Sequence, residues 1–146
     1  MNCENSIFIR APLDRVFAVT SALEQWPTVL PHYRWIRVLE RNGTGMIVQM
    51  AARRGWFPLR WTSRFEADAA ARELRFRHLK AFTKGMAVKW TYTPTPQGVE
   101  VRITHQLDRH SVLARWFAER ILGELFIQPV ATKTLAAFKR HLESPA

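Results

Sequence analysis

The sequence predicts an α+β domain in two layers, a curved antiparallel sheet of about seven strands crossed by a long C-terminal helix, and three observations carry that expectation. From Tyr33 to Leu107 apolar and polar residues alternate, with turn chemistry about every 8 to 12 residues. Beyond Ser111 glycine clusters disappear and apolar residues follow helical spacing to about Leu142. With 146 residues, 47% hydrophobic and 23% charged, the chain suits one globular core, and it is neither disordered nor collagen-like. Residues 1–146 are expected to form a single domain, without repeat or linker.

Taken in order, the apolar run Asn5–Arg10 reads as a strand. Pro12 suits a first helical position, and Leu13, Val16, Phe17 and Thr20 recur at helical spacing behind it. Ser21-Ala-Leu-Glu24 has the form of a capping box for a second short helix, closed by Trp26-Pro27 and Leu30-Pro31. Turns at Asn42-Gly43, Gly55 to Pro58, Asp68 to Arg72, Lys84-Gly85 and Pro94 to Gly98 then divide a six-strand meander. Ser111 is an N-cap for the last helix, and Pro129 predicts a kink near Ile127 by removing the bond to the Leu125 carbonyl.

Strand alternation assigns the two faces of the sheet. Met46, Val48, Met50 and Ala52, then Leu59, Trp61, Ser63 and Phe65, then Leu74, Phe76 and His78 share the apolar parity. Met86, Val88, Trp90 and Tyr92 continue it, followed by Val99, Val101, Ile103, His105 and Leu107. The opposite parity carries Arg53, Arg60, Arg64, Arg75, Arg77, Lys89 and Arg102, relieved mainly by Glu73 and Glu100. The strand from Tyr33 to Leu39 is ambiguous, because Tyr33, Trp35 and Leu39 compete with Ile36 and Val38. On the inner face Ser63, His78 and His105, with Arg54 nearby, are polar groups costly to bury without partners, so a ligand cavity stands against a solid core. Arg120, Glu124 and Gln128 fall on the helical stripe that continues through Ala131, Leu135, Phe138 and Leu142. The turns place Met50 near Ser63, Ser63 near His78, and His105 beside Met86 or Val88. Ser63 and His78 resemble half of a nucleophilic pair, but without a carboxylate to orient the histidine a structural hydrogen bond is expected instead. No metal-ligand spacing occurs, and no metal or cofactor is expected.

The net charge of +10 admits an anionic partner, a membrane surface or RNA, at Arg60, Arg64, Arg75, Arg77, Lys89 and Arg102. Sequence-specific nucleic-acid binding is not expected, because the aromatics lie on the opposite parity from the arginines. One cysteine, Cys3, with no apolar leader in Met1–Pro12 and no run of membrane-spanning length, points to the cytoplasm.

These residues carry a resemblance along essentially the whole chain. Ile9-Arg-Ala-Pro12 with Val16-Phe17, Trp26-Pro27 with Leu30-Pro31, Val38-Leu39-Glu40, and Arg60-Trp-Thr-Ser-Arg64 with Asp68 and Arg72 resemble the START-like superfamily, also called Bet v 1-like or SRPBCC. Gly85-Met86 to Trp90, Val101 to His105 and Phe138 are similar as well. The resemblance implies the helix-grip fold, with two short N-terminal helices and a long kinked C-terminal helix over a cavity. Within the superfamily the chain is similar to the polyketide cyclase/dehydrase group, and to the coenzyme-Q-binding and ribosome-association-toxin proteins.

The aromatase/cyclases of that group hold a poly-β-keto chain with a tryptophan, a tyrosine, a serine and an arginine, and Trp26, Tyr33, Trp61 and Ser63 match the pattern. Their arginine lies two residues after the serine, where this chain has Phe65, while Arg64 alternates outward and Arg54 is the substitute. The resemblance thus implies binding of a hydrophobic small molecule, a lipid, isoprenoid quinone or aromatic polyketide. The walls would be Trp26, Tyr33, Met50, Trp61, Phe65, Phe76, Met86, Trp90, Tyr92 and Leu125, with Ser63, His78 and His105 orienting polar ends. Leu125 to Val130 would frame the entry. The alternatives are a polyketide aromatase/cyclase, with Tyr33, Ser63, His78 and Arg54 as catalytic candidates, and a ribosome- or RNA-associated module. Whether the domain is an enzyme is left open by its residues.

Overall fold

The computed structural model describes residues 1–80, 83–107, 116 and 118–144. Strand β1 (Asn2–Ile9) is followed by helix α1 (Leu13–Ser21), a 3-10 turn (Leu23–Gln25) and the one-turn helix α2 (Trp26–Val29). Strands β2 (Tyr33–Asn42), β3 (Gly45–Arg54), β4 (Phe57–Asp68), β5 (Glu73–His78), β6 (Ala87–Thr95) and β7 (Gly98–Gln106) form the meander. A π-helical segment (Ala118–Ile127) runs into helix α3 (Gln128–Glu143). The seven strands pair antiparallel in the order β1-β7-β6-β5-β4-β3-β2. The chain therefore crosses from one sheet edge to the other through α1 and α2. This is the expected α+β helix-grip arrangement.

The apolar stripe of α3 builds the core: Ala131, Leu135, Phe138 and Leu142 are buried against the sheet. Polar clamps fix its C-terminal half to the start of the chain. Lys139 Nζ donates to the Phe8 carbonyl at 2.6 Å, the Arg10 amide donates to Glu143 at 3.1 Å, and Arg15 donates to the Leu142 carbonyl at 2.9 Å.

Several expectations are corrected. Ser21 caps nothing: it ends α1 with its hydroxyl on the Ala18 carbonyl, and Trp26-Pro27 opens α2 instead of closing a helix. Proline lacks an N–H, so it costs least in a first turn. The same physics applies to Pro129, which stands in the first turn of α3 where π winding gives way to α winding at Ile127 and Gln128. The N-cap expected at Ser111 lies outside the described residues. Arg120 and Glu124 pair with each other in solvent instead of facing inward.

In β2 the parity conflict is resolved by bulges at Tyr33/Trp35 and Val38/Glu40. The first lets Tyr33, opposite Ala52, and Ile36, opposite Met50, share the inner face although three residues separate them. The β3–β4 register is two residues from expectation, because the tight turn at Gly55-Trp56 (Gly55 φ 61°) pairs Arg54 with Phe57. Met50 then faces Trp61, and Val48 faces Ser63. A slip of two preserves parity, so the inner face is unchanged. Ser63 and His78 are opposite each other as expected.

At Gly98 a Cβ would meet the Ile9 carbonyl oxygen at 2.3 Å and the Arg10 Cα at 3.0 Å. These are backbone atoms held by the β1–β7 ladder and cannot yield easily. Gly98→Ala should therefore cost about 1–3 kcal/mol, read as a lower urea midpoint with unchanged slope.

Candidate functional site

Where α3 and the π segment lie over the middle of the sheet, they enclose a cavity of about 430 Å³. The sheet contributes Tyr33, Met50, Leu59, Trp61, Phe76, His78, Val88, Trp90, Ile103 and His105, all on the inner parity. Trp26 enters from α2, Thr83 and Met86 from the β5–β6 connection, and Phe126, Ile127, Val130, Ala131 and Thr134 from the helix. Phe57, from the β3–β4 hairpin, meets Phe126 with ring centroids 5.3 Å apart, joining the two layers. Arg60 reaches the lining as well, although alternation assigns it outward, and it is the one charged residue among the described lining residues.

The buried titratable groups inside are neutral. His78 lies parallel to the Trp61 ring at 6.0 Å, and its Nδ1 is hydrogen-bonded to Thr83 Oγ1 at 2.8 Å. Burial lowers its pKa to about 4. His105 falls to about 3, first through burial and then through the charge His78 would carry. Its Nδ1 is buried and has no hydrogen-bond partner among the described residues. At the other side of the cavity Thr134 donates to the Val130 carbonyl, which spends its single proton. His32 Nε2, 2.8 Å from the Thr134 oxygen, must then be the donor of that bond. His32 is lowered to about 4 by burial and by the Lys133 charge. The Tyr33 hydroxyl shares Thr134, and complete burial raises its pKa above the ordinary tyrosine value.

Of the expected ligand residues, Trp26, Tyr33, Met50, Trp61, Phe76, His78, Met86, Trp90 and His105 line this cavity. The others do not. Ser63 is fully buried on the inner face and donates to the Arg64 carbonyl at 3.2 Å, so it makes neither a nucleophilic pair nor a structural bond with His78. Phe65 packs on Phe76 at 4.8 Å, farther along the strand. Tyr92 lies beneath α1, its hydroxyl 2.7 Å from Thr20 and its ring 5.4 Å from Phe17. Leu125 is 44% exposed, and its neighbours Phe126 and Ile127 take the inward positions. Arg54 is exposed at the end of β3, and Arg64 is exposed on the outer face.

The basic face is also more balanced than its sequence implies. Arg75 bonds Glu66, Asp68 and Glu73, Lys89 approaches Glu73, and Arg102 bonds Glu4 and Glu100. Not anticipated as site residues are Phe57, Thr83 and the Thr134–His32 pair, while Leu59 is expected only on the inner face and Phe126, Ile127 and Val130 only within the entry segment Leu125 to Val130. The signal for Phe126, Val130 and Thr134 was present in their spacing of four residues, which a π segment followed by α3 keeps on one side.

Among the described residues no group of three or more His, Cys, Asp or Glu could hold a metal ion. No helix among them is long and apolar enough to cross a membrane.

Residues 2–143 match the family described as polyketide cyclase/dehydrase and lipid transport. A protein assigned as a polyketide cyclase from Streptomyces halstedii is 32% identical over 105 residues, 68% of this chain and 94% of the relative. Among solved structures, the Zhui aromatase/cyclase from Streptomyces sp. R1128 superposes with a TM-score of 0.81 at 19% identity, covering 98% of this chain and 93% of that one. A STAR-related lipid transfer protein from Xanthomonas axonopodis does so with a TM-score of 0.68 at 18% identity, covering 98% and 86%. At these identities the structures establish the fold.

The three buried imidazoles give stability a pH dependence of definite sign. In the unfolded chain they take up protons near 6.5, whereas in the folded chain they resist protonation to about 4, 4 and 3. The unfolded state binds more protons in between, so stability is complete above 6.5 and falls as pH drops toward 4. Urea midpoints measured from pH 7.5 to 4.5 should show that decline, and His78→Gln should make it shallower.

Proposed function

Because the chain belongs to the polyketide cyclase/dehydrase and lipid transport family, we propose that this single domain binds a hydrophobic small molecule between its sheet and its C-terminal helix. The candidate ligands are an aromatic polyketide, an isoprenoid quinone or a lipid. The observation that carries the reading is the cavity itself. Its 430 Å³ lies within the range of about 300–1,000 Å³ used by small-molecule sites. Its walls are aromatic and aliphatic, and one buried nitrogen, His105 Nδ1, is left to be satisfied. Trp26, Tyr33, Trp61, Phe76 and Trp90 offer ring faces to a flat or extended apolar body. His78 and His105, both neutral, suit a hydroxyl or carbonyl at its polar end and disfavour a carboxylate. We place this carrier in the cytoplasm, in keeping with its single cysteine.

A second reading is a polyketide aromatase/cyclase, favoured by the convergence of Trp26, Tyr33 and Trp61 on one cavity beside two unprotonated imidazoles. Of its catalytic candidates Tyr33 and His78 remain, while Ser63 and Arg54 stand outside the cavity. An anionic surface partner, if engaged by the outer face, would meet Arg64 and Arg77 first, since carboxylates already hold Arg75, Lys89 and Arg102.

Protein purified from its own host and extracted with organic solvent should release a stoichiometric hydrophobic compound by mass spectrometry. A quinone or lipid supports carriage, and a polyketide supports the cyclase. Trp61→Ala should weaken binding of that compound about tenfold to a hundredfold, the loss of most of a buried aromatic contact. An empty extract together with no uptake of any apolar probe would refute a ligand-binding cavity.

A further inference from the structure

The tip of the β3–β4 hairpin carries Arg53, Arg54 and Trp56, exposed side chains outside the cavity lining. Trp56 is 98% exposed, and Phe57 beside it is 56% exposed while its ring meets Phe126 at the cavity lining. Leu125, next to Phe126, is 44% exposed. Apolar side chains are thus left in water where the hairpin and the helical layer meet over the cavity. The charge on the hairpin itself is basic, and the acid beside Leu125, Glu124, is paired with Arg120. From Ala51 to Arg60 the chain carries Arg53, Arg54 and Arg60 with no acidic residue. None of the three forms an ion pair among the described residues, whereas the carboxylates of the outer face are engaged at the far end of β4 and on β5. Lys84, exposed beside the lining residue Thr83, adds a further positive charge.

We propose that this hairpin tip docks on an anionic lipid bilayer, with Trp56 seated at the headgroup level and Arg53, Arg54 and Arg60 on lipid phosphates, so that the cavity opens toward the membrane. An amphipathic indole flanked by arginines has the chemistry of that interface. The shape decides against a rigid protein partner. A single convex tip presents little area against the roughly 800 Å² per partner of a stable protein interface, whereas a fluid bilayer closes around it. The proposal rests on the ligand-binding reading for its purpose, exchange of an apolar molecule between membrane and cavity. Docking itself can be measured apart from that reading.

The test is flotation of the full chain with vesicles of phosphatidylcholine alone or mixed with phosphatidylserine, beside uptake of a neutral apolar fluorescent probe. Flotation should require phosphatidylserine and decline with added salt. Trp56→Ala should lower partitioning about tenfold, and each of Arg53→Gln and Arg54→Gln about fivefold. Arg77→Gln on the outer face should leave it unchanged, and all these variants should keep probe uptake, since none alters a lining residue. Absence of flotation with intact probe uptake overturns docking and leaves the cavity reading standing. Trp56-dependent flotation without probe uptake does the reverse. Flotation that is indifferent to Trp56, or that depends equally on Arg77, overturns the assignment to the hairpin tip. Trp56-dependent capture of an acidic protein without vesicle binding assigns the tip to a protein partner and overturns the bilayer.

Discussion

The indole of Trp26 is the contact on which the two layers depend. Its ring lies 5.2 Å from Tyr33 of β2, 6.0 Å from Phe76 of β5, 5.5 Å from Trp90 of β6 and 5.6 Å from Phe138 of α3. Its Nε1 donates to the Thr20 carbonyl of α1 at 3.0 Å. One side chain thus touches three strands, the C-terminal helix and the N-terminal helix, and its single polar atom is satisfied by a free helix-end carbonyl. Pro27 fixes the backbone that presents it. Because Trp26 also lines the cavity, the same residue that joins the layers forms one wall between packed core and ligand space.

That position explains why the interior is divided. On one side of Trp26, Phe138, Leu135 and Leu142 fill the gap between α3 and the sheet, and clamps to Phe8 and Arg10 hold the helix down. On the other side the helix gives way to the π segment, and Phe126, Ile127 and Val130 face the cavity there. The volume left there collects His78 and His105. Desolvation keeps both imidazoles unprotonated, so the charge at the cavity lining is left to Arg60. An uncharged ligand with a hydrogen-bonding end is the molecule such a space accommodates at least cost.

Most of this was legible in residue order. Alternation alone brought Met50, Trp61, Phe76, His78, Trp90 and His105 to one face, because parity survives even a two-residue error in a hairpin. Where along that face the cavity lies was not legible, since it depends on how far α3 reaches before the π segment begins. Ser63, Phe65 and Tyr92 have the correct parity and lie under filled core. The bulges of β2 were invisible for a related reason: each changes parity within a strand, and no residue type announces it. On the outer face the relief expected mainly from Glu73 and Glu100 is joined by Glu66 and Asp68, which Arg75 gathers across the β4–β5 ladder.

The position of the arginines separates the two roles that the family description joins. Cyclisation of a poly-β-keto chain develops negative charge on an enolate oxygen, and a fixed cation or preorganised donor set facing that oxygen lowers the barrier most effectively. Here Arg54 and Arg64 are in solvent, Phe65 occupies the inward position two residues after Ser63, and Arg60 stands as the one charged lining residue described. Inside, the available groups are the Tyr33 hydroxyl, beside Thr134, and two neutral imidazoles. Apart from Arg60 at the lining, such a set can pass a proton between neutral partners but offers no full charge to an oxyanion. A cyclisation out of reach of Arg60 would have to protonate the oxygen as the carbon–carbon bond forms, with His78 or His105 cycling through the imidazolium that burial disfavours. Carriage makes no such demand. Apolar walls and the unsatisfied His105 Nδ1 suit a neutral molecule in its ground state, which is what a carrier would require.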